Sequence, residues 1–160
     1  MADHQNDLTP VPMVKPGALA IQNDAAAAVR DFLTAIERRD VEAASTFLHD
    51  DVAFKLVPFP ELRGKADVVR QLRGLLAAIA SMHIEMHNIA ANGDTVLTER
   101  THTLELGPVP VQLWMCGTFE TRNGKITMWR DRFDVAEFTF SAIRGIAHAA
   151  SQMQIEQRRR

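Results

Sequence analysis

Three side chains in this sequence have the types and spacing of an acid–base set. Arg100 and His102 stand two apart in "TERTHTLEL", residues 98 to 106, and Asp131 stands in "ITMWRDRFD", residues 126 to 134. Residues two apart share one face of a strand, so Arg100 and His102 project together with Val96, Thr98 and Leu104. In the second stretch the odd positions Thr127, Trp129, Asp131 and Phe133 make one face, and Ile126, Met128, Arg130 and Arg132 make the other. Asp131 then sits between two aromatics, where a carboxylate loses hydration unless a cation or hydrogen-bond donors compensate. Arg100 and His102 are the compensators the sequence offers. An imidazole can trade a proton near neutral pH, a carboxylate can accept one, and a guanidinium stays charged. Such a set can take a proton from one atom and deliver one to another. The competing reading of the same spacing is a solvated ion pair on the sheet surface.

Other chemistries find less support. His83 and His87 share a strand face, but no further ligand stands at a convincing spacing, so no metal is expected. A Gly-rich phosphate loop, a G-x-S-x-G elbow and tyrosine are all absent, which argues against phosphoryl transfer and serine hydrolysis. No cofactor is expected. His49, beside Asp50 and Asp51, reads as a solvated helix end. The single cysteine, Cys116 in "LWMCGTF", excludes an internal disulfide, reads as a small core residue and fits a reducing compartment. A net charge of −2 provides no general attraction for nucleic acid or an anionic membrane. No run approaches the roughly 20 apolar residues of a membrane span, and the N-terminus lacks a basic start followed by an apolar run. The expected setting is cytoplasmic, and the expected partner is a small molecule.

The elements that must carry these residues follow from periodicity. At 160 residues and 46% hydrophobic content, one domain with a real core is expected. Pro10, Pro12, Pro16 and Gly17 mark residues 1–20 as a flexible arm, with the single domain at 21–160. A helix from Asp24 to about Arg38 follows from the spacing of Ala28, Val29, Phe32, Leu33 and Ile36, and a short one spans about 41–48. "DDVAFKLVPFP" alternates around Val52, Phe54 and Leu56 and reads as an edge strand. Residues 66–81 read as a third helix. From His83 the period becomes two: "HIEMHNIA" and "TVLTERTHTLEL" flank "ANGD", and "VQLWMCGTFET" and "KITMWRDRF" flank "RNG", giving four antiparallel strands in two hairpins. The C-terminal stretch reads as helical, with an extension from about 145 and a solvated basic end. This order predicts an α+β domain, three to four helices packed on one face of a bent antiparallel sheet that forms a cone with a pocket at its open end.

The pocket-facing set is Phe54, Leu56, Leu104, Trp129 and Phe133, with Met86 and Met115 as adaptable neighbours. Lys55 has the opposite parity and would join only if its strand bulges. These apolar walls suit a neutral ring system carrying one or two hydroxyls.

"VRDFLTAIERRDVEAASTFLHDDVAF", "TERTHTL" and above all "GTFETRNGKITMWRDRFDVAEF" resemble the limonene-1,2-epoxide hydrolase family, within the nuclear-transport-factor-2-like (SnoaL-like) superfamily, over about residues 24–144. The resemblance implies a cone-shaped six-stranded sheet with helices across it, and a homodimer. It also implies a site of two Asp and one Arg, with a Tyr and an Asn that hold the attacking water. The Arg falls on Arg100 and the general-base Asp on Asp131. The acid Asp falls on His102, the Tyr on Phe54 and the Asn on Leu56. Phe54 and Leu56 have no group with which to hold a water. On that ground the leading expectation is a cofactor-independent lyase or isomerase acting on a hydrophobic, aromatic, hydroxylated molecule. His102 would protonate a departing hydroxyl, Asp131 would act as base, and Arg100 would clamp Asp131. The alternatives are an epoxide hydrolase, with His102 in place of the acid and backbone groups holding the water, and a non-catalytic ligand-binding protein.

Overall fold

The computed structural model describes residues 16–106 and 109–134. Helix α1 (Pro16–Glu37) buries Ala25, Val29, Phe32, Leu33 and Ile36, the three- and four-residue spacing of a single apolar stripe. It begins at Pro16, so residues 16–20 are helical rather than part of an arm; proline fits a first helical turn because its missing N–H has no partner there. Residues 1–15 and the expected extension from about 145 lie outside the described residues. Asp40 caps helix α2 (Val41–Thr46), its Oδ1 accepting from the Ala43 N–H at 2.9 Å. Strand β1 (Leu48–Val57) and the two-residue β2 (Leu62–Arg63) follow, then helix α3 (Lys65–Ala77), which buries Val68, Leu72 and Leu76. That helix stops short of Ser81 because Ser81 already pairs with the sheet.

The alternating half of the chain forms β3 (Ser81–Asn92), β4 (Thr95–Leu106), β5 (Val109–Arg122) and β6 (Lys125–Phe133). Asn123 (φ 51°) and Gly124 (φ 73°) turn the β5–β6 hairpin, two successive left-handed residues as a tight two-residue turn requires. The order across the sheet is β2-β1-β6-β5-β4-β3. All neighbours are antiparallel except β1 and β6, which run parallel and set Phe54 beside Trp129 and Leu56 beside Asp131. The α+β class, the curled sheet and the helices on one face are as expected; the parallel pair makes the sheet mixed.

Register shifts interrupt β1, β3 and β6, and the one on β6 bears on the site. The β5–β6 ladder shifts register at Glu120/Thr121, and Ile126 and Trp129, three apart, are both buried. A bulge takes up the extra residue, so Ile126 rather than Thr127 shares the inner face with Trp129 and Asp131.

The inner face is laid out in cross-strand rows. Val96, Phe119, Trp129 and Phe54 form one row, and α1 covers it through Phe32. Phe32 meets Trp129 edge-on at 5.0 Å, Phe54 tilts against it at 4.2 Å, and Phe119 stacks on it at 6.1 Å. This aromatic floor is the base of the cone. No helix among the described residues is long and apolar enough to cross a membrane.

Candidate active site

Above the aromatic floor the rows turn polar. Thr98, Gly117, Asp131 and Leu56 form the next row; Arg100, Met115 and Phe133 follow, with Met86 beside Arg100; His102 then stands between Ile84 and Leu113. Arg100 is fully buried, and Asp131 and His102 nearly so. A charge at such depth persists only when its donors are engaged. Arg100 Nη2 donates to Asp131 Oδ2 at 2.6 Å, Nη1 to Thr98 Oγ1 at 2.6 Å, and Nε to His102 Nε2 at 2.9 Å. Its Cζ also lies 5.7 Å from the centre of the Phe119 ring.

Gly117 makes this reach feasible. A Cβ there would sit 2.6 Å from Thr98 Oγ1 and 2.7 Å from Asp131 Oδ1, and would strike Arg100 Nη1. The missing side chain leaves the volume through which the guanidinium passes from its own row to the next. Glycine inside a strand commonly marks such a close approach.

The Arg100 contact also fixes the state of His102. A guanidinium can only donate, so Nε2 is the acceptor and the ring proton resides on Nδ1. Burial first, and the Arg100 charge second, lower the His102 pKa from 6.5 to about 3. His102 is therefore a neutral imidazole at physiological pH, not the group titrating near neutrality that its residue type suggests. Two buried side-chain polar atoms among the described residues have no partner within the protein: Asp131 Oδ1 and Trp129 Nε1.

The fold gathers most of the residues expected at the site. Phe54, Leu104, Met115 and Trp129 are buried on the inner face, and Leu56 and Met86 pack half-buried against the core. Phe133 is half-buried beside Met115. Lys55 pairs with Arg130 on the opposite face, because the irregularity of β1 lies between Leu48 and Ala53 and leaves the parity at 54–56 intact. Thr98, Gly117, Ile84 and Leu113 belong to the site as well. Thr98 and Gly117 had a signal, shared parity in one case and an in-strand glycine in the other, whereas Ile84 and Leu113 follow only from register. Cys116 is exposed on the outer face opposite Glu99, not in the core. His83 bonds to Glu37 and His87 to Thr101, and His49 lies in β1, its Nδ1 accepting from the Asp51 N–H.

Comparison with known proteins identifies the family. The model of the limonene-1,2-epoxide hydrolase catalytic domain matches residues 23–144. The chain belongs to the limonene-1,2-epoxide hydrolase family. Within that family, epoxide hydrolase EphG of Mycobacterium tuberculosis is 39% identical over 119 residues, 74% of this chain and 79% of the relative. The solved structure of an M. tuberculosis LEH-like epoxide hydrolase superposes with a TM-score of 0.76 at 36% identity, covering 82% of this chain and 98% of that one. A protein with a ketosteroid isomerase-like fold from Catenulispora acidiphila shares the fold alone, with a TM-score of 0.66 at 17% identity over 72% of this chain and 91% of that one.

These findings correct the leading expectation. A lyase or isomerase for aromatic alcohols, inferred from the loss of Tyr and Asn at Phe54 and Leu56, is overturned by family relatives at 39% and 36% identity that are epoxide hydrolases. Phe54 and Leu56 mislead because β1 is only one wall of the site, and β6 presents polar atoms directly beside them.

Proposed function

We propose that the protein is an epoxide hydrolase that adds water to a small, neutral, hydrophobic epoxide. The supporting observation is the way Arg100 divides its donors. It holds Oδ2 of Asp131 and Nε2 of His102, leaving Asp131 Oδ1 as an acceptor and His102 Nδ1–H as a donor. A neutral carboxylic acid presents one acceptor and one proton; a neutral imidazole in this tautomer presents the same pattern with the same net charge. His102 is thereby a chemical substitute for the family's acid Asp.

In this reading Asp131 Oδ1 takes a proton from a water as its oxygen bonds to an epoxide carbon. The C–O bond breaks, and the departing oxygen is stabilised by and takes the Nδ1 proton of His102. A neutral imidazole serves as an electrophile in this way, and Arg100 balances the negative charge that develops on the ring. The proton on Asp131 leaves to solvent, His102 regains one, and the product is a vicinal diol. Leu113, Met115, Met86 and Phe133 provide apolar walls beside the set, which favour a neutral substrate because a charged one would lose hydration against them. A cytoplasmic setting suits such chemistry. Pairing of two copies, which the family resemblance implies, would cover the exposed Leu97 and Trp114 on the outer face.

The test is incubation with a panel of neutral hydrophobic epoxides in ¹⁸O-labelled water, followed by mass spectrometry. Diol carrying one heavy oxygen from the first turnover is expected. Failure to open any epoxide that thermal shift shows to bind would overturn the proposal.

A further inference from the structure

We infer that the indole N–H of Trp129 and Oδ1 of Asp131 form a two-point site for the attacking water, the indole doing what Phe54 and Leu56 cannot. The inference rests on the epoxide-hydrolase reading and deepens it.

Trp129 Nε1 and Asp131 Oδ1 are the two buried, unpartnered side-chain polar atoms among the described residues. They are complementary, since an indole nitrogen only donates and a carboxylate oxygen only accepts. They stand two apart on one face of β6, and both side chains are buried there. Their neighbours on β1 are Phe54 and Leu56, which offer no hydrogen bond to either. Buried groups left without a partner are uncommon, and an ordered water is a usual solution where polar atoms converge. One water satisfies both: it accepts from the indole N–H and donates to Oδ1, retaining a lone pair for the epoxide carbon.

The direction of proton flow assigns this water rather than the epoxide oxygen to Trp129. A donor next to the base on β6 belongs on the side of the nucleophile, whereas His102, on β4, has the donor for the departing oxygen. The indole is also a rigid donor. Phe32 edge-on at 5.0 Å and Phe54 at 4.2 Å hold the ring, so the N–H direction is set before substrate arrives.

Trp129→Phe keeps an aromatic ring in this floor and removes the donor. The expected result is a kcat lowered about 10- to 100-fold with KM little changed, as for a misplaced nucleophile. Adding Leu56→Asn, directly opposite Asp131, should restore at least part of that loss by supplying another polar group to the water. A crystal structure of the ligand-free wild-type protein gives a readout independent of turnover: an ordered water within hydrogen-bond distance of both atoms is expected, and it should be lost or displaced in Trp129→Phe. A wild-type kcat in a folded Trp129→Phe, or a wild-type structure with no water bridging the two atoms, overturns the inference. If the bridging water is present and the protein opens no epoxide, the proposed function falls and the water site stands.

Discussion

Thr98 and Asp131 oppose each other across Gly117, and the guanidinium of Arg100 lies in the space a side chain at 117 would fill. The set therefore depends on a residue that contributes no functional group. Gly117→Ala should cost about 1–3 kcal/mol, the usual range for forcing atoms into a packed interior. It should also pull Arg100 off Asp131 and lower diol formation. Chemical denaturation and turnover of the same preparation check both. A variant as stable and as active as wild type would mean that Arg100 has another path to its partners.

Asp131→Asn keeps an acceptor for Arg100 Nη2 but removes the base. Turnover should fall by roughly 10²-fold or more while the fold is retained, in line with the loss of a general base. Circular dichroism and rate measurements decide it: a folded variant retaining more than about a tenth of the wild-type rate removes Asp131 from the proton-transfer step.

Thr98→Val removes only the acceptor of Arg100 Nη1, at 2.6 Å, in a side chain of nearly the same shape. An orphaned donor in the interior costs about 1–3 kcal/mol. Thr98→Ser, which restores the hydroxyl, should recover most of that loss. Urea denaturation of the two variants provides the comparison, and equal stabilities would show that this contact does not anchor Arg100.

His102 makes the protein sensitive to acid. Its native pKa is about 3 against 6.5 for the free side chain, so between those values the unfolded chain binds a proton that the native chain excludes. Stability is full above 6.5 and drains away as pH falls toward 3. Within that window each step of one pH unit weakens the folding equilibrium by roughly tenfold, for a total loss on the order of a few kcal/mol. His102→Gln, which keeps an acceptor for Arg100 Nε and cannot titrate, should flatten this slope. Denaturation curves at pH 7, 5 and 4 test it; parallel slopes for variant and wild type would refute the assignment. For the same reason His102 should add no limb near pH 6.5 to the wild-type rate profile.

Local patterns legible in the sequence carried much of the fold. Alternation through Val96, Thr98, Arg100, His102 and Leu104 placed one buried face, and Asn123 and Gly124 marked their turn. The parallel meeting of β1 and β6 has no such signal, because it joins distant segments through the rest of the domain. The bulge before Met128 was equally silent: Ile126 and Thr127 are both good strand residues, and only the ladder decides which faces inward. At the site, Arg100, His102 and Asp131 could be grouped by parity and resemblance. The neutral state of His102 could not, since it arises from depth and from one hydrogen bond, neither of which residue type encodes.

The parallel seam between β1 and β6 has a consequence for how such a protein can change. Thr98, His102 and Asp131, which hold Arg100, lie on β4 and β6, while Phe54 and Leu56 enter from β1 with side chains that cannot bond the guanidinium. Substitutions on β1 can thus exchange what stands next to the base without dismantling the ion pair. For an engineer who wants this scaffold to deliver a nucleophile other than water, β1 is the part to vary, and the half-buried position 56, opposite Asp131, is where to randomise first.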